Sequence, residues 1–128
     1  MIRKLIILPQ AITVHPYYAA LIASGQKTLE LRSKRLLKAG QHVVVCSGAP
    51  EGLTLCECEV LAVFPISARP LRDVLRSACV GENQIKNYRA TVAHELRVIR
   101  QLAPRRVRGG VGVWELRKSR HSRDAGLL

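Results

Sequence analysis

The sequence predicts an α+β fold: a mixed or antiparallel β-barrel flanked by two or three short helices. Three observations carry that reading. Strand-like segments recur along the chain, with the β-branched run Val43, Val44, Val45 the plainest of them. One long strand, residues 53–64, sets Cys56, Cys58 and Ala62 along one face, and small residues suit the interior of a narrow barrel. The helical patterns are short, and two of them open on a proline, Pro16 and Pro70.

In chain order, residues 2–14 read as a first strand, with the run Leu5, Ile6, Ile7, Leu8 covered on both faces and Pro9 placing a break. That interrupted run, with no small-residue cleavage site after it, argues for a strand rather than a signal peptide. Pro16 starts a helix with Tyr18, Leu21 and Ile22 on one face, and Gly25 ends it. Thr28, Glu30 and Arg32 then alternate with Leu29 and Leu31, so the helix delivers Lys27 onto a strand. Residues 33–41 form an exposed loop in which Lys34, Arg35 and Lys38 either hold phosphates or are merely solvated. Residues 41–47 are a strand, and Gly48, Pro50 and Gly52 mark the loop after it. In the strand over 53–64 the even positions face inward, while Glu57 and Glu59 face water. Pro70 opens a helix with Leu71, Val74, Leu75 and Ala78 as its apolar stripe. A second helical stretch is expected over 82–95, with Ile85, Tyr88, Val92 and Leu96 as an imperfect stripe. Residues 97–102 read as a strand, 103–110 as a basic turn, and 111–116 as the closing strand. One domain thus spans residues 1–117, and the basic residues 118–128 are an expected disordered tail.

Composition narrows the function classes. A chain of 128 residues with 48% hydrophobic content builds one domain with a real core. No apolar run approaches the roughly 20 residues of a membrane-spanning helix, so no membrane association is expected. A net charge of +12 points to a polyanion, with RNA or a nucleotide the leading partner; a basic surface serving only solubility is the alternative. Aromatic residues make up only 4%, which argues against an extended stacking platform and for one or two pocketed bases. Cys56 and Cys58 share a strand face, C-x-x-C is absent and the four histidines are scattered, so neither metal nor cofactor is expected. Reduced, buried thiols fit a cytoplasmic protein. Gly25, Gln26, Lys27 and Thr28 end like a phosphate loop, but Ala20 stands where its first glycine is needed.

Gly25, Lys27, Glu30 and Arg32, spaced G-x-K-x-x-E-x-R after a helix that starts Pro16-Tyr17, resemble the signature of ASCH domains. That family shares a PUA-like β-barrel with RNA-binding domains. The resemblance runs from about residue 12 to residue 116, where Gly109, Gly110 and the run VGVWEL look like the family's closing strand. It implies a ligand cleft between barrel and first helix, faced by Tyr17, Lys27, Glu30 and Arg32. With Gly25, Lys34, Arg35, Arg105, Arg106 and Arg108 these make up the expected RNA- or ligand-binding set. A lysine contacts phosphate or polarises a carbonyl, a glutamate reads a base edge or acts as a base, and a tyrosine stacks. Ideal alternation, however, puts Lys27 opposite Glu30, so a joint site requires a bulge near Thr28. Glu30 and Arg32, on one face, also suit an ordinary surface ion pair worth about 0.2–1 kcal/mol.

Three functional classes follow: an RNA- or nucleotide-binding module first, a small metal-independent hydrolase of a modified nucleoside or RNA second, and a protein-interaction domain third. The reading favours a monomer. For the hydrolase, Lys27, Glu30 and Tyr17 are the catalytic candidates. Some ASCH-fold amidohydrolases acting on N4-acylated cytidine use a lysine, a threonine three residues later and a glutamate; here Glu30 occupies the threonine position, and Glu82 is the one candidate for the distal glutamate. Ribonuclease-like chemistry would rest on Tyr17 and Lys27.

Overall fold

The computed structural model describes residues 9–116, so the apolar run 5–8 and the tail 118–128 lie outside the described residues. Six strands, β1 (Gln10–Val14), β2 (Leu29–Arg32), β3 (His42–Ser47), β4 (Thr54–Pro65), β5 (Val92–Gln101) and β6 (Val113–Glu115), form one mixed sheet in the order β2-β5-β4-β3-β1-β6. It curls into a half-barrel. Helix α1 (Pro16–Ala23) joins β1 to β2, while α2 (Leu71–Ala78) and α3 (Glu82–Asn87) lie between β4 and β5. The β1–β3 pair is parallel and every other pair is antiparallel.

The alternation of β3 explains its place at the centre. Val43 and Val45 join the core under α1 with Ile12, Ile22, Cys56, Cys58 and Val60, whereas Val44 and Cys46 pack on the opposite face with Ala11 and Leu116. Both faces of β3 are covered, as its continuous apolar run requires. The even positions of β4 are buried from Thr54 to Val60, and Cys56 and Cys58 share the inner face, with their sulfurs 3.8 Å apart. Beyond Val60 the register shifts at a bulge before Ala62, which ends the burial pattern. A third, smaller core seats α2 on the sheet through Val74, Ala78, Leu29 and Ala93.

Several sequence expectations need correction. The helix expected over 82–95 stops at Asn87; Arg89 takes a left-handed φ of 51°, and the chain re-enters the sheet at Val92. Pairing decides this: Val92 to Glu95 are held between β2 on one side and β4 on the other, which outweighs a weak helical stripe. The strand expected over 97–102 is therefore only the second half of β5. In α2, Leu71 is 41% exposed, so the stripe narrows to Val74 and Ala78. In the loop 33–41, Leu37 is buried. Glu57 and Glu59 do not simply face water, because Arg100 and Arg97 across the β4–β5 pair cover them.

Candidate functional site

Where the sheet's β2 edge curls toward β1, α1 and α3 close over it and leave a cleft of about 690 Å³. His15 caps α1, its Nδ1 accepting the Tyr17 N–H at 3.3 Å. That cap and Pro16 start the helix where Tyr17 and Tyr18 fall at the cleft mouth. Gly25, with φ 84°, turns the chain out of the helix; it does not line the cleft, and a Cβ there would meet open space. The glycine serves the turn rather than a ligand.

Lys27 lies in the connection before β2 rather than on the strand. That position resolves the alternation conflict: the connection needs no bulge to put the ammonium beside Glu30. Lys27 Nζ donates to the Ala78 carbonyl at 2.6 Å, sits 3.5 Å from Glu30 Oε1, and lies 5.2 Å from the centre of the Tyr18 ring. Arg32 Nε donates to Glu30 Oε2 at 2.7 Å, and its Nη2 reaches across to the Thr13 carbonyl of β1 at 2.9 Å. Lys27 is 3% exposed and Glu30 8%, so this is an ion network inside the fold rather than a surface pair. Burial lowers the Lys27 pKa from its ordinary value, against the opposing pull of Glu30.

His94 of β5 supports the network from behind. Its Nδ1–H donates to the Glu30 carbonyl at 3.1 Å, leaving Nε2 to accept the Leu36 N–H at 3.0 Å. Both ring nitrogens are used by the neutral imidazole, and burial first of all lowers its pKa.

The expected ligand-facing set, Tyr17, Lys27, Glu30 and Arg32, does line one cleft. Lys34 and Arg35 are exposed in the following loop and do not line it. Arg105 borders a different hollow, and Arg106 and Arg108 border a third. Glu82 is exposed on α3, and neither it nor Thr28 lines the cleft that holds Lys27. Sequence reasoning missed Thr13, Gln84 and Tyr88 as lining residues. Gln84 donates to the Tyr18 hydroxyl, tying α3 to α1. No local spacing ties Thr13, Gln84 or Tyr88 to Lys27, so no sequence signal marked them. Among the described residues no cluster of His, Cys, Asp and Glu is arranged for a metal ion, and no helix is long and apolar enough to cross a membrane.

No family model and no curated protein matches this sequence. Solved structures do match the fold. The ASCH protein from Zymomonas mobilis superposes with a TM-score of 0.71 at 18% identity, covering 93% of each chain. A point mutant of that protein gives 0.73 at 19% identity, over 94% of this chain and 99% of the other. A protein from Enterococcus faecalis is more distant, with a TM-score of 0.55 at 14% identity over 77% of this chain and 84% of its own. From residue pattern, topology and superposition together, the chain has the ASCH fold.

Proposed function

We infer that the cleft binds an unpaired nucleotide of RNA, with a base stacked at the tyrosines and its polar edge read beside Glu30 and Arg32. One observation carries this reading. The chain has only three tyrosines, Tyr17, Tyr18 and Tyr88, and all three line the cleft that also holds the buried Lys27–Glu30–Arg32 network. Tyr17 and Tyr88 are 62% and 76% exposed, and although Tyr17 makes an edge contact with Tyr18, both present open aromatic surface on which a base could stack. The volume suits a nucleoside-sized ligand, and the net charge of +12 favours a phosphate-bearing one.

Fluorescence anisotropy with short single-stranded RNA and matched DNA tests the reading. Stacking on an aromatic ring is worth about 1–3 kcal/mol per base, so Tyr17→Ala weakens RNA binding at least five-fold or so. Absence of binding to every RNA tried overturns it. A second reading, hydrolysis of a modified nucleoside, is favoured by the lowered Lys27 pKa within the same cleft. Turnover of N4-acetylcytidine that Lys27→Met abolishes would support it, and intact substrate would exclude it for that compound.

A further inference from the structure

We propose that the ligand is a single-stranded polynucleotide rather than a free nucleotide, its backbone passing from the tyrosine cleft over Thr13 to a phosphate subsite on the loop that carries Arg106 and Arg108. The proposal rests on the cleft being a nucleotide site. It starts from Thr13, which lines both that cleft and a second hollow of about 360 Å³ bordered by Gly48, Gly52, Arg106 and Arg108. The two hollows therefore share one residue of β1, whose carbonyl accepts from Arg32 and whose hydroxyl faces the arginine loop.

The loop is held against that residue. The Trp114 indole N–H donates to Thr13 Oγ1 at 2.9 Å, and the same hydroxyl donates to the Gly110 carbonyl at 3.0 Å. Gly110 lies so near Trp114 that a Cβ would stand 2.8 Å from the ring, so only glycine permits the approach. On the other side Val107 N–H donates to the Gly52 carbonyl at 2.8 Å. The subsite is thus prearranged.

Its charge is unspent. Arg69, Arg97 and Arg100 each pair with a glutamate, whereas Arg106 and Arg108 have no salt bridge among the described residues, although Glu51 borders the same hollow. The N–H groups of Arg108, Gly109 and Gly110 likewise donate to no acceptor among the described residues. Guanidinium groups and free amides in a glycine-bearing loop suit phosphate oxygens. A base seated at the tyrosines projects its phosphates outward, and Thr13 is the point at which they reach this loop.

The test measures anisotropy with labelled oligouridylates of one, two, four and eight nucleotides at several salt concentrations, on the full chain and on R106A/R108A. Both arginines are exposed, so their truncation leaves the fold, which a melting curve checks. Affinity of the full chain rises with length, and the double variant loses roughly 25-fold on the octamer at 0.1 M salt, with a salt slope shallower by about 1.4. Its affinity for the mononucleotide is unchanged. If the variant keeps the octamer affinity and slope while Tyr17→Ala loses binding, the path is wrong and the cleft stands. If no length binds at all, the cleft reading fails with it.

Discussion

Two hollows of nearly equal size differ in everything but volume. The tyrosine cleft measures about 690 Å³; the other, about 680 Å³, lies on the far face of the sheet between Pro9, Val44, Leu102 and Leu116. In the second, Glu57 accepts from Arg100 and sits 3.2 Å from His42 Nδ1, and no tyrosine lines it. Hydrogen bonding to Arg100, more than any other cause, lowers the Glu57 pKa. In the first hollow the charges lie inside the fold and the aromatic faces lie open. The difference teaches that an empty space becomes a candidate site through what converges on it, not through its size.

Mutations sharpen the contrast. The largest effect is expected at Glu30. Its truncation to alanine strands a buried ammonium beside Arg32, and breaking such a buried network costs about 3 kcal/mol or more in urea unfolding. A cost below about 1 kcal/mol would reduce the network to the level of a surface pair. Next comes His94→Phe, which leaves the Leu36 N–H without its acceptor and removes the side-chain bond to the Glu30 carbonyl, for about 1–3 kcal/mol. Because burial lowers the folded His94 pKa, its contribution is present above the unfolded value of about 6.5 and is lost as pH falls from there toward the folded value. The variant is expected to lack that acid-side decline, which thermal melts across pH 5–8 would detect. The smallest effect belongs to the far hollow. Arg100→Ala removes an exposed ion pair, costs about 1 kcal/mol or less, and leaves RNA binding at the tyrosine cleft unaltered. An equal loss of affinity there would erase the distinction between the hollows.

Much of the fold was legible because local pattern and tertiary demand agreed. Pro16 and Gly25 bracket α1, and the small residues at Cys56 and Cys58 mark the inner face of β4. Where they disagreed, pairing prevailed: residues 92–96 carry a plausible helical stripe, and only the β2 and β4 neighbours make them a strand. The site divided in the same way. Tyr17, Lys27, Glu30 and Arg32 lie within one short stretch, so spacing could find them. Tyr88 and Gln84 come from a distant helix and Thr13 from β1, and nothing local in the sequence links them to Lys27. Strand geometry also misplaced Lys27, since alternation applies only from Leu29 onward, where β2 begins.

The outer wall of the cleft is an interruption of a hairpin. β4 and β5 are paired neighbours in register at Pro65 and Val92, and everything between them, including Gln84, Ile85 and Tyr88, hangs from that closed base. Such an arrangement separates inheritance of the scaffold from divergence of ligand choice. Substitutions or length changes over residues 80–90 can reshape one side of the binding surface while the six strands keep their register. The ion network is anchored at the Thr13 carbonyl of β1 and at the Ala78 carbonyl, where α2 ends just before residues 80–90, so a new wall that keeps α2 would meet an unchanged floor.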